Sequence, residues 1–192
     1  MSTNKELLAQ YSSQDMSKII GWGEGQDGDG QLMAEQTAHG RVNHLTVASL
    51  FNNVGNGDES LAYSSPLGVA ATMQYSDLFV NEYGIRFCDE SGAGGLGTSQ
   101  SGKLIESQGY VFSIMDSSMK EKYEAGGCSR HYSGFADACV GSPIDLTSEI
   151  EENADKDYIL SADTLEELAD KLAEKVPTFV KEDFLAEIER YN

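Results

Sequence analysis

Apolar residues follow a helical rhythm at both ends of the chain and a strand-like one in the middle. At the start, Leu7, Leu8 and Tyr11 share one helical face, and Thr3 followed by Glu6 has capping-box spacing, so a short opening helix is expected. Near the end, Leu165, Leu168, Ala169, Leu172 and Ala173 recur at helical spacing. They predict a helix over Asp163–Lys175, capped by Asp163 with Glu166 in reciprocal position, with Lys171 and Lys175 near its negative end and Pro177 stopping it. A last helix carries Phe184, Leu185, Ile188 and Tyr191 inward.

The strand-like material lies at Leu45–Phe51 and Asp77–Cys88. Leu78 to Val80 and Ile85 to Phe87 flank Asn81-Glu-Tyr-Gly84, which predicts a β-hairpin. Ser91 to Gly102 reads as a Gly/Ser/Thr loop. Tyr110 to Met115 then resumes as a buried strand, ending at Asp116, which caps a helix over Ser117–Tyr123. Strand-rich middle and helix-rich second half, with no internal repeat, point to an α+β fold rather than alternating α/β.

Gly21 to Gly30 is too glycine-rich for an element interior, and Gln31 to Ala38 is a good helix former, so a loop feeds a helix N-terminus at Asp29. Asp29 has two compatible readings. One is helix N-cap, its carboxylate accepting backbone N–H bonds; the other is acceptor for sugar or ribityl hydroxyls of a cofactor, an approach that Gly28 and Gly30 leave open.

Charge narrows the partners. The 192 residues hold 13 Lys and Arg against 32 Asp and Glu, a net charge of −19, which makes nucleic acid and anionic membrane surfaces poor partners. The acidic run from Glu149 to Asp157 is read as a solvated helix face. No apolar run has the length of a membrane span, and Lys5, Glu6 and Asp15 break up any signal-peptide core in the first twenty residues. Three cysteines, Cys88, Cys128 and Cys139, exclude a disulfide framework but not a single bridge.

Four motifs tempt and fail on their neighbours. Gly92-Ala-Gly-Gly-Leu-Gly97 matches the dinucleotide glycine pattern but lacks a strand before it and a helix after it. Gly97 to Lys103 nearly completes a phosphate-binding loop, yet Leu104 replaces the hydroxyl that binds Mg²⁺. Asp27 and Asp29 begin like a calcium loop, but Gln31 and Leu32 hold the third-ligand and glycine positions. Cys128, His131 and Cys139 lack a fourth zinc ligand, and His39 and His44 have no nucleophile in a recognisable motif, so no metal site and no triad is assigned.

Three segments resemble flavoproteins of the fumarate reductase/succinate dehydrogenase superfamily: Gly28-Asp-Gly-Gln-Leu-Met-Ala34, then Leu78-Phe-Val-Asn-Glu-Tyr-Gly-Ile-Arg-Phe-Cys-Asp-Glu90, then Ala162-Asp-Thr-Leu-Glu-Glu-Leu-Ala169 with the closing Glu189-Arg-Tyr-Asn192. The resemblance implies an internal piece of a larger FAD-dependent oxidoreductase. Residues 1–46 would be the tail of the first FAD-binding segment, a helical remnant of that domain. Residues 47–192 would be the capping domain that closes over the flavin and shapes the site for a small-molecule substrate.

In that family the Asp of the Gly-Asp-Gly turn contacts FAD, which carries over to Asp29 with Gly28 beside it. The remainder of the flavoprotein chain is then the implied partner, and any export signal would precede Met1. The family's proton-relay Arg and Glu fall at Met73 and Ala70, its catalytic Arg near Gly94 and its substrate His near Leu50. None of these side chains carries a proton or clamps a carboxylate, which argues against fumarate as substrate and leaves the catalytic residues unassigned. Tyr63 and Tyr75 are the phenols nearest the expected substrate face, and Arg86 is expected to pair with a carboxylate such as Glu82. The isolated chain should be inactive and colourless. The rival expectation is a stand-alone acidic module that binds a protein or a cation.

Overall fold

The computed structural model describes residues 3–12, 15–16, 25–42, 78–90, 104–105, 107–127, 141 and 143–192. The chain divides into two units, Met1–Ser49 and Leu50–Asn192. Among the described residues the protein is a small mixed assembly of six helices and a two-stranded sheet.

In the first unit, α1 spans Lys5–Tyr11 and α2 spans Asp29–Ala38. Asn4, not Thr3, caps α1: its Oδ1 accepts the Leu7 N–H at 2.9 Å. Asn places its acceptor one residue nearer the first turn, which frees the Thr3 hydroxyl to bond elsewhere. Leu7 and Leu8 are buried, as the apolar spacing predicts. α2 begins after Gly28, whose φ of 94° only glycine adopts without strain, and closes on His39 at φ 51°. None of the ten α2 side chains is buried.

In the second unit, β1 (Phe79–Asn81) pairs antiparallel with β2 (Val111–Ser113), with Val80 opposite Phe112. β2 is shorter than the expected strand and only half-buried. The expected hairpin forms as a turn without a second strand. Asn81 builds the turn: its side-chain Oδ1 accepts the Tyr83 and Ile85 N–H groups, each at 3.1 Å, and its carbonyl accepts the Gly84 N–H at 3.0 Å. Only a single bridge, Val80 to Arg86, follows. The ladder stops there because the Phe79 N–H donates to the Glu90 carboxylate, 3.0 Å away, rather than to the returning backbone.

Helices α3 (Ser117–Gly126) and α4 (Leu146–Glu152) are capped by Asp116 and Asp145, which accept the Met119 and Ser148 N–H groups at 2.7 and 3.0 Å. They enclose a small core of Tyr123, Ile144 and Leu146. The acidic run supplies the exposed side of α4 and the turns after it, with Glu149 half-buried.

The larger core joins the sheet to α5 (Leu165–Lys175) and α6 (Lys181–Tyr191): Leu78 and Val80 meet Ala169, Leu172, Val176, Phe179 and Phe184. Phe112 packs edge-on to Phe179, and Phe179 meets Phe184 at 5.4 Å between ring centres. α5 is capped by Thr164, whose hydroxyl accepts the Glu167 N–H at 3.2 Å, while Glu167 takes the Asp163 N–H. The expected box on Asp163 and Glu166 is therefore shifted by one residue. Thr164, extended at φ −130°, is the last non-helical position, and a cap must sit there. Val176 ends the helix before Pro177. On α6, Phe184 is fully buried and Leu185 and Ile188 pack beside the core, whereas Tyr191 stays exposed. Tyr191 faces outward because it lies under the Arg86 guanidinium, 5.3 Å from the ring centre.

Candidate functional site

Gly28, Asp29 and Gly30 form the corner at the start of α2, where Asp29 and Gly30 are exposed but Gly28 is buried, so the approach expected over both glycines is open at Gly30 alone. Gly28 is the cap residue, so Asp29 is the first helical residue and not the N-cap. The turn demands the left-handed conformation at the residue before the helix, which Asp adopts far less readily than Gly. One consequence is that the Asp29 side chain is not spent on capping. It is exposed and makes no hydrogen bond or ion pair among the described residues. A Cβ at Gly30 would meet nothing within 4 Å, so the face beside Asp29 is open. The carboxylate also sits at the positive end of a ten-residue helix, where negative charge is favoured.

The corner is held from behind. The Thr3 hydroxyl donates to Asp27 Oδ1 at 3.1 Å, and the Asn4 amide donates to the Asp27 carbonyl at 3.1 Å. At the far end of α1, the Tyr11 hydroxyl donates to Glu35 Oε2 at 2.6 Å, and that bond holds the phenol above its ordinary value. α1 is therefore fastened both to the residue before the corner and to the middle of α2. Sequence reading missed this arrangement; the signal was Asp27 itself, one residue before a glycine that must turn.

A second polar centre lies in the other unit. Glu90 is buried and receives the Arg86 guanidinium through Nε at 3.0 and 2.9 Å and Nη2 at 2.5 Å. The expected Glu82 partner is thus replaced by Glu90, whose burial demands a charged donor, whereas Glu82 is turned toward Gly109 and Thr178. The Glu90 hydrogen bonds raise Arg86 further above its ordinary value. Cys88, a free half-buried thiol between the two, is pushed up to about 11, chiefly by burial and then by the Glu90 charge. This centre braces the turn and exposes no reactive group.

Leu50, Tyr63, Ala70, Met73, Tyr75 and Gly94 lie outside the described residues, as do Cys128, His131, Cys139, His44 and both glycine-loop motifs. Among the described residues no cluster of three His, Cys, Asp or Glu is placed to hold a metal ion, and no helix is long and apolar enough to cross a membrane. No protein-family model matches the chain, and neither a curated protein nor a solved structure does.

Proposed function

We propose that these residues belong to an FAD-dependent oxidoreductase of the fumarate reductase/succinate dehydrogenase superfamily, with an α+β capping region covering the flavin. In this reading residues 1–46 close the first FAD-binding segment and residues 47–192 form the substrate lid. The observation that carries the reading is Asp29: a carboxylate left free by Gly28, exposed beside an open face, at a helix N-terminus. It stands within the first of the three segments that resemble the family.

The residues present fit one corner of the cofactor. Asp29 would accept hydrogen bonds from flavin-side hydroxyls, and Gly30 lets the ligand approach the backbone, while buried Gly28 sets the turn. The flavin supplies the redox chemistry, hydride transfer at N5 with an organic substrate. The lid shapes the substrate pocket and excludes water from it. α2 supports the same reading, since a ten-residue helix with no buried side chain lacks the packing that normally stabilises one. The remaining flavoprotein chain would supply that cover.

The test is the flavin content of the longer chain that contains these residues, with and without Asp29→Ala. The reading expects bound flavin in the parent, clear loss in the variant, and a colourless 192-residue chain. Undiminished flavin in Asp29→Ala removes the cofactor role. A chain that stays colourless at every length but gives binding heat with calcium or zinc belongs to the rival acidic module.

A further inference from the structure

We propose that Thr3 and Asn4 are positioning residues for Asp29, fixing the cofactor corner through Asp27; this rests on the flavin reading above. The geometry is a two-point clamp. Thr3 Oγ1 holds the Asp27 carboxylate and Asn4 Nδ2 holds the Asp27 carbonyl, both at 3.1 Å, so side chain and backbone of the residue before Gly28 are fixed together. Gly28 has the widest choice of backbone conformations of any residue type, and φ 94° is one among several open to it. Something outside the turn must select that conformation.

Asn4 is well placed for the task because its two side-chain atoms work in opposite directions. Oδ1 caps α1 by accepting the Leu7 N–H, while Nδ2 reaches Asp27. The start of α1 and the start of α2 are thereby fixed by one side chain. Buried Leu7 and Leu8 anchor α1, and Tyr11 ties its other end to Glu35, so the clamp is mounted on an element that is itself secured. A carboxylate pre-set in this way binds hydroxyls without first losing the freedom of a glycine turn, which is the general gain from preorganisation.

The experiment separates the clamp from the flavin reading. Thr3→Val removes one donor and Thr3→Ser restores it; Asn4→Ser keeps a helix cap but drops the amide donor. The first readout is amide hydrogen exchange at residues 32–34 of the 192-residue chain without flavin, because Leu32 N–H, bonded to the Gly28 carbonyl at 3.0 Å, is the first amide the turn protects. The Thr3→Val/Asn4→Ser variant should exchange about tenfold faster there, with α1 protection retained and partial recovery when Ser replaces Val at position 3. The second readout is FAD affinity of the longer chain, which should weaken about threefold to tenfold in the same variant. Unchanged exchange overturns the clamp whatever the flavin does. Weakened binding in Asp29→Ala with unchanged binding in the clamp variant overturns the positioning role alone. Faster exchange with full FAD affinity in Asp29→Ala overturns the flavin reading itself.

Discussion

Gly84 lies directly against Phe184: a Cβ at position 84 would stand 2.9 Å from the Phe184 Cβ and 3.0 Å from the Val180 carbonyl oxygen. The turn after β1 and the first turn of α6 thus meet with no room for a methyl group. Gly84 is also at φ +83°, where a side chain is strained in any surroundings. Gly84→Ala should therefore lower stability by about 2–4 kcal/mol, the combined scale of a left-handed non-glycine residue and an overpacked contact. A urea midpoint that falls with an unchanged slope is the expected result.

Removing the Arg86 guanidinium strands the Glu90 carboxylate in the interior. Arg86→Met is expected to cost about 2–3 kcal/mol, somewhat less than a fully buried pair because Arg86 keeps a third of its side chain in water. Adding Glu90→Gln to that variant should restore part of the loss, since an amide is cheaper to bury than a lone charge. A double variant as unstable as the sum of the singles excludes the pairing as the cause.

Cys88 holds its proton in the folded state, with the thiol at about 11 against an ordinary value of 9.0. Native Cys88 should react slowly with iodoacetamide at neutral pH, and labelling mapped by mass spectrometry should rise only as pH climbs toward 11. The linkage has a definite sign. Because the folded value is raised, the Cys88 contribution to stability is complete below pH 9.0 and is lost as pH rises toward about 11. Cys88→Ser should flatten the stability profile in that alkaline window.

Asp116, Asp145 and Glu124 are held below the ordinary carboxylate range, by the Met119 N–H, the Ser148 N–H and the Lys120 ammonium respectively. Their contributions are present above the unfolded values and vanish as pH falls through the lowered folded ones. α3 and α4 should therefore be the first helices to lose protection in acid, read by amide exchange. Asp116→Ala should remove about 1 kcal/mol at neutral pH through loss of its cap.

A net charge of −19 opposes compaction. Raising salt from about 0.01 M to about 0.15 M shortens the screening length from ~30 to ~8 Å, so Tm should rise over that range. A falling Tm would mean that local ion pairs such as Lys181 with Asp170 outweigh the overall repulsion.

Elements with strong periodicity were legible in the sequence. The spacing of Leu165, Leu168, Ala169 and Leu172 gives α5 to within its cap, and Asp116 is both predicted and observed as the cap of α3. What sequence reading missed are choices between neighbours. Thr3 or Asn4 and Asp163 or Thr164 each offer two competent capping groups, whereas at Gly28 or Asp29 the left-handed backbone angle selects the glycine, which has no capping group at all. The Arg86 partner was hidden for another reason. Glu82 and Glu90 are equally near in sequence, and only burial of Glu90 by the folded chain selects it. That Asp29 is not spent on capping was likewise invisible, because it follows from Gly28 taking the cap.

The union of the turn with α6 also sets an order of events during synthesis. The Arg86 N–H donates to the Glu187 carboxylate across a sequence separation of 101 residues. Val80 and Leu78 consequently emerge from the ribosome long before Phe184 arrives to cover them. Such a nascent intermediate exposes apolar strand for seconds and invites chaperone capture. Its rescue waits on the last helix.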